Sequence, residues 1–511
     1  MGIVARQSIK GSIVSYLGAF IGFVNTIFVV TALMDEADYG LIGVIVEAGT
    51  LLGSLSMMGM GSAGIKFFPF FKSKDGTNHG FFFYLLMIPL VGMGIFFSLV
   101  MLFKAPIVGF FSEKASAFVD QFYWIFPLAF FFAYQNIFAT YSNVLMRIVV
   151  PRFVQEVLVR VLNLLIFLLF GYRIISLQTL VILQVLIYGV AMIVNLVYLS
   201  RIGNLTLRHD IKFISPELGR QIVKYSGYTL LASIGSVIMI KIDTFMVSGM
   251  LGLDSGGIYR VAMFMGVIVE IPSRSLFAIA QPIASDAIKN EDRERLSKLV
   301  KSVSINLMLI GAAIFLLLYL NRDNIFEIIP NGDRYSSGRD VMIFIGLANL
   351  INITFMFNLY VLQLSKHYIY YLPFLILLSA MGIAGNYFLI PVFGMTGGAL
   401  SKVLVYSAFA MIITGFIYYK MKIHPFTVKH LVLLFLVLAA VGMDFLLPSL
   451  SNPILDGIYR TVTIAAVGTV AVYKCKISPD ANRIADELMA KLKKLKKDVN
   501  LKNSKTMLEI L

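Results

Sequence analysis

Apolar segments long enough to cross a bilayer as helices recur from one end of the 511-residue chain to the other. They lie near 11–33, 41–65, 81–103, 122–145, 153–171, 176–199, 223–248, 257–282, 302–320, 341–364, 368–390, 396–419, 430–447 and 455–473. A helix of about 20 apolar residues spans the roughly 30 Å of a hydrocarbon core, and a helix satisfies its own backbone groups there. The chain is 59% hydrophobic and only 14% charged, with a mean hydropathy of +0.85. A soluble domain carries about 25% charged residues, so this chain lacks the polar surface to wrap such a core in water. The expected fold class is an all-α polytopic membrane protein of about 14 transmembrane helices.

The net charge of +15 would point to nucleic acid in a soluble protein. Its distribution points elsewhere, and no nucleic-acid partner is expected. With the N-terminus inside, most Lys and Arg residues fall in inside segments. The outside loops hold only Lys104, Lys114, Arg173, Arg322, Arg334 and Arg339. That bias predicts an even number of spans with both termini cytoplasmic. The N-terminal "MGIVARQSIKGS" reads as a short arm before an uncleaved first span.

A shift of the first half by 217 residues places Gly18 on Gly235, Thr31 on Ser248 and Gly40 on Gly257, and so "MDEADYG" beside "MLGLDSGG". A shift of six spans preserves orientation, so the halves would be parallel repeats. The expected organisation is a six-helix bundle over 1–200, a cytoplasmic linker over 201–222 and a second bundle over 223–420. Two further helices over 421–475 and a basic amphipathic tail over 476–511 complete it. The tail begins with the cap pair Ser478-Pro479. It places Ile484, Leu488, Leu492, Leu495 and Val499 on one stripe beside a run of lysines, which suits anionic membrane lipids or simply enforces topology. The single cysteine, Cys475, excludes an internal disulfide. The short inside loops contain no GxxxxGK[ST] phosphate loop. Asn204 and Asn352, the two NxS/T matches, fall inside or in a span.

Charges within the spans carry the functional signal, because each costs about 2.5–3.5 kcal/mol at mid-bilayer on insertion scales. They include Glu47, Glu156, Arg160, Lys241, Asp243, Arg260, Glu270, Arg274, Lys402 and Arg460. Glu270 and Arg274 are four residues apart on one face, with Pro272 between them expected to bend the helix. An ion pair and a binding role are both open for them. Lys241 and Arg260 either face a cavity or snorkel to the outer headgroups. Lys402 and Arg460 lie near outer ends, where snorkelling accounts for them. A hydrated cavity lined by such cations would attract an anion, and Arg forks onto phosphate oxygens.

The stretches "SIKGSIVSYLGAFIGFVNTIFVV", "DEADYGLIGVIVEAGTLLGSLSMMGMGSAGIKFFP" and "KIDTFMVSGMLGLDSGGIYRVAMFMGVIVEIPSRSLFAIAQPIAS" carry a resemblance over roughly residues 1–475. The chain resembles the polysaccharide-export, O-antigen flippase-like (Wzx-like) transporters of the MOP superfamily, to which the MATE exporters and lipid II flippases also belong. The resemblance implies two pseudo-symmetric six-helix bundles in the bacterial cytoplasmic membrane. It implies alternating access that carries an undecaprenyl-diphosphate-linked oligosaccharide from inner to outer leaflet, with no bond chemistry. The diphosphate contacts it implies are Arg160, Lys241, Arg260 and Arg274, and the candidate coupling sites for H⁺ or Na⁺ are Glu47, Asp243 and Glu270. Glycosyltransferases and a glycan polymerase are the implied protein partners. Span 1 has no charge between Gly11 and Met34. It therefore departs from the lipid II flippase pattern of basic residues there, and from the exporters' span 1 carboxylate. A cation-coupled small-molecule antiporter and a membrane glycan ligase or polymerase are the alternatives. The roughly 20-residue longest outside loop argues against the last.

Overall fold

The computed structural model describes residues 3–73, 77–112, 114–202, 205, 207, 213–483, 485–487 and 491, with side chains of 3–12, Ser112 and Ile240 excluded. Within them the chain is built of helices, twelve of which are long and apolar enough to cross a membrane. In chain order we label α1 (Ile13–Leu33), α2 (Glu36–Phe71), α3 (Asn78–Leu102), α4 (Phe122–Val144), α5 (Val149–Gly171) and α6 (Leu177–Ile202). There follow α7 (Pro216–Leu251), then α8 (Leu253–Lys289), α9 (Arg293–Leu320) and α10 (Gly332–Leu364). The next helical run, Tyr371–Met421, contains 51 residues. At about 1.5 Å per residue a straight rod of that length would far exceed a bilayer. It reverses at Gly394, whose φ of 60° and ψ of −142° are open to glycine. The limbs, α11 (371–393) and α12 (395–421), fold against each other, and a Cβ on Gly385 would overlap the Ser401 hydroxyl. Val428–Asp444 (α13) has 17 residues, and Pro453–Lys474 is α14.

Two compact units emerge, each drawn from separated stretches of chain. The larger combines Met1–Met265, Phe326–Ile345 and Ile369–Tyr406, and the smaller Gly266–Ile325, Gly346–Tyr368 and Ser407–Leu511.

In the larger unit α2 is the organising helix. Asp35 precedes it and Glu36 and Asp38 occupy its first turn, where the positive end of the helix dipole favours acids. Gly49 and Gly53 let α4 approach closely, since a Cβ at Gly53 would lie 2.7 Å from the Ala129 carbonyl oxygen. Small residues serve this purpose in membranes, where no hydrophobic force draws helices together. On another face Gly40 meets the α7–α8 turn. A Cβ on Gly40 would overlap the Leu253 carbonyl oxygen, and one on Gly257 would overlap the Glu36 carbonyl oxygen. Positions 36 and 253, like 40 and 257, are partners under the shift of 217. The contact is therefore reciprocal, as a local two-fold relation between the two turns requires.

This contact lies at the end of the helices that the Lys/Arg bias places outside, and the start of α10 with the residue before it closes over it. Asn331 Nδ2 donates to the carbonyls of Thr31 and Ala32 at 2.9 and 3.2 Å. Arg334 pairs with Asp35 at 2.8 Å. Both members of that pair are exposed, so it contributes at most about 1 kcal/mol. The glycine contacts do more, because a side chain there would force the two turns apart.

The opposite end of α2 breaks at Met58 and Gly59, both at positive φ, and continues into an aromatic core. Phe67, Phe68, Phe71, Phe81, Phe82 and Tyr141 are buried together, with the Phe71 and Phe81 ring centroids 4.9 Å apart.

The smaller unit is held by polar contacts as well as apolar ones. Arg460 Nη1 contacts Asp444 at 2.6 Å and its Nε contacts Asp456 at 2.7 Å. Arg322 reaches Asp444 at 3.0 Å, and Asn324 donates to Asp456 at 2.8 Å. This network joins α9, its following segment, α13 and α14. Arg460, expected to snorkel, instead turns inward, because two buried carboxylates need its charge. At the far end of α13, Thr427 and His430 form a capping box, and the His430 ring meets Ser304 at 3.0 Å. Ser478 accepts a bond from the Ala481 amide at 3.1 Å, as an N-cap does, and contacts Asn306 at 2.5 Å. Of the expected tail stripe, Ile484, Leu488, Leu492, Leu495 and Val499 lie outside the described residues.

A Gly257→Leu replacement should hold the α1–α2 and α7–α8 turns apart. In a Cys475→Ser background, Met34→Cys, 3% exposed in the native side chain, would then label several-fold faster with an impermeant maleimide. Unchanged labelling would show that the glycine contact does not keep this end closed.

Candidate functional site

The reciprocal glycine contact continues inward as a cluster of charge. Gly40, Gly43 and Glu47 succeed one another at three- and four-residue spacing and so share a face of α2. Arg260 of α8 folds onto Gly43, whose Cβ would lie 2.9 Å from Arg260 Nη1. The two residues are themselves partners under the shift of 217. Where repeat partners touch each other, only one can carry a large side chain, and here the second half carries it. Arg260 Nη1 donates to the Tyr39 carbonyl at 3.3 Å, and its guanidinium lies 4.5 Å from the Tyr39 ring centroid. Arg260 thus sits between helices and does not snorkel.

One turn beyond Gly43, Glu47 is buried at 4% exposure, and its Oε2 has no hydrogen-bond partner among the described residues. The charges that act on it are those of Lys241, Arg260, Asp243 and Lys402. Asp243 on α7 is fully engaged. Lys402 Nζ of α12 contacts its Oδ2 at 2.7 Å, and Asn386 Nδ2 of α11 donates to its Oδ1 at 2.8 Å. Both side chains of the ion pair are buried, at 7% and 5% exposure. Lys402 therefore does not snorkel either, since Asp243 would be left as an uncompensated charge. Tyr259 beside Arg260 is buried, its hydroxyl lacks a partner among the described residues, and Asp243, Glu47 and Tyr406 act on it.

Of the residues expected from sequence, the larger unit therefore gathers Glu47, Lys241, Asp243 and Arg260. It adds Lys402, which sequence reasoning assigned to snorkelling, and Asn386 and Tyr259, which it left out. A lone Lys in the 396–419 segment was the available signal, because a buried acid elsewhere demands such a partner. Arg160 also belongs to this unit. It pairs with Glu156 at 2.9 Å and lies against Gly22, whose Cβ would be 2.9 Å from its Nη1. Gly18, one turn earlier, gives the Glu156 backbone the same clearance.

Glu270 and Arg274 belong to the smaller unit. The ion pair, one of the two readings open for them, does not form among the described residues. Val267–Glu270 is 3₁₀-helical, and Pro272 lies in the first turn of the α-helical stretch that follows. Glu270 is half-buried and Arg274 exposed.

Helices that bury charges inward while leaving residues such as Leu102, Phe388 and Phe435 on the outside define a polytopic membrane protein with a polar interior. Residues 4–287 match the family described as Polysaccharide biosynthesis protein, and the chain belongs to that family. Its fold is that of the MOP-superfamily membrane transporters. The structure of the lipid II flippase MurJ in an inward-closed conformation is similar with a TM-score of 0.69 at 13% identity, covering 90% of this chain and 98% of that one. An inward-facing multidrug resistance MATE family transporter of the MOP superfamily gives 0.62 at 14% identity, over 79% and 94% of the two chains. A MOP superfamily transporter from Pyrococcus furiosus, whose description reports a binding pocket of reversed polarity, gives 0.53 at 15% identity, over 82% and 95%. No curated protein matches the chain.

Lys402→Ala should destabilise the protein by about 3–5 kcal/mol, the cost of stranding one member of a buried pair. The exchanged pair Asp243→Lys with Lys402→Asp should recover part of that loss. A detergent-solubilised thermal melt reads both, and a wild-type melt for Lys402→Ala would show that the pair is dispensable.

Proposed function

We propose that the chain moves an undecaprenyl-diphosphate-linked oligosaccharide from the inner to the outer leaflet of the bacterial cytoplasmic membrane. The observation that carries this reading is the buried charge of the larger unit, in a member of a polysaccharide biosynthesis family. Lys402 is committed to Asp243, which leaves Lys241 and Arg260 facing the single carboxylate of Glu47. That excess suits a diphosphate, which a guanidinium can bind in a fork. In this reading fourteen spans form two six-helix bundles with two further helices, both termini are cytoplasmic, and rocking of the bundles alternates access. This reading also assigns the diphosphate to Arg274 and, in exchange for its pairing with Glu156, to Arg160. Glu47, with an oxygen that has no protein partner among the described residues, is the leading site for H⁺ or Na⁺ coupling, ahead of Asp243 and Glu270. Glycosyltransferases would supply the substrate and a polymerase would receive it.

The second reading, a cation-coupled antiporter of small molecules, draws on the same two buried carboxylates, Glu47 and Asp243. In it the cations balance the acids rather than meet a substrate.

Arg260→Ala should lower transfer of a polyprenyl-diphosphate oligosaccharide in proteoliposomes roughly tenfold or more, the scale of one hydrogen bond to a charged group. Arg260→Lys should restore it only in part, because a point charge lacks the fork. Arg274→Ala should lower transfer more mildly while leaving insertion intact. Equal transfer by wild type and Arg260→Ala at equal protein levels would remove the diphosphate role, and cation-driven transport of a small amphiphile instead would favour the antiporter.

A further inference from the structure

At the ends of α2, α4 and α6 that the Lys/Arg bias places inside, the larger unit holds a cleft of about 610 Å³. Its floor is polar and fixed. Asn78 is buried, its amide donates to the Tyr141 hydroxyl at 3.4 Å, and its backbone N–H donates to Ser73 Oγ at 2.8 Å. Lys72 and Arg201 line the cleft as exposed cations, with no ion-pair partner among the described residues. Asp75 and Asp210, the acids nearest to them in sequence, lie outside those residues. Val144 and Met146 supply an apolar wall. Helix C-termini and the inside location draw cations by themselves. They do not account for a cleft with a held polar floor beneath two cations and an apolar side.

We propose that this cleft binds the phosphate group of an anionic membrane lipid, its oxygens between Lys72 and Arg201 and the start of its acyl region against Val144 and Met146. The volume falls within the range of small-ligand pockets, and basic pockets between spanning helices on the cytoplasmic side suit acidic headgroups. The site is independent of the transport reading, because lipid retention is measured without transport.

The test uses full-length protein purified from mixed phosphatidylcholine and phosphatidylglycerol vesicles, with retained lipid read by native mass spectrometry. The double variant Lys72→Gln/Arg201→Gln should retain roughly tenfold less phosphatidylglycerol, the scale of two cation contacts at a membrane surface, with phosphatidylcholine unchanged. Ser200→Trp, which fills the cleft and keeps both cations, should lose it equally. Lys72→Arg/Arg201→Lys, which preserves charge, should retain it and so controls for folding. Inorganic phosphate that raises the melting temperature of delipidated wild type but not of the double variant would make the free ion a sufficient ligand; a rise with phosphatidylglycerol vesicles alone would assign the lipid. Equal retention by wild type and the double variant, or undiminished retention by Ser200→Trp, would overturn the proposal in favour of diffuse surface attraction.

Discussion

The structure depends on backbones meeting without side chains between them. Gly40 and Gly257 each face a carbonyl of the opposite turn, and everything inward of that contact inherits its geometry. Gly43 follows one turn later and makes the space in which Arg260 lies. Glu47 follows another turn later and enters the field of Arg260, Lys241 and Lys402. A β-carbon at the first position would separate the helices and disperse the charges below. In lipid, where apolar surface is as well solvated outside as inside, close approach of small residues and polar contact are what remain to hold helices together.

Burial then decides how the charges are arranged. An ion taken from water costs several kcal/mol even after relaxation, so each must find a partner or serve a purpose. Asp243 finds Lys402 and Asn386, and Asp444 finds Arg322 and Arg460. Arg160 finds Glu156. Glu47 is the contrast, because one of its oxygens has no protein partner among the described residues. A carboxylate held this way beside cations can take up a proton or a metal cation, which is the basis of the coupling role proposed for it.

The broken symmetry of the repeat matters as much as the symmetry. Equivalent positions 43 and 260 lie in contact, and the sequence places glycine at one and arginine at the other. Two arginines could not share that space, and two glycines would leave no charge there. A touching pair related by the shift, with one member cationic, places a single guanidinium at this contact.

Sequence alone determined the solvent. Segment length, the scarcity of charge and the Lys/Arg bias are one-dimensional properties, and the bilayer reads them in one dimension. The membrane class was legible for that reason, as were Glu47, Lys241, Asp243 and Arg260 as charges needing an explanation. Their partners were not legible. Lys402 and Arg460 sit near segment ends, where a flexible side chain could equally reach water or turn inward, and only the packing of α12 against α7, and of α14 against α13, decides between those directions. Glu270 and Arg274 do not pair among the described residues, although their spacing along an α-helical stretch allows it. Which charges meet is a property of helix rotation and tilt, and those are set by contacts between segments far apart in the chain.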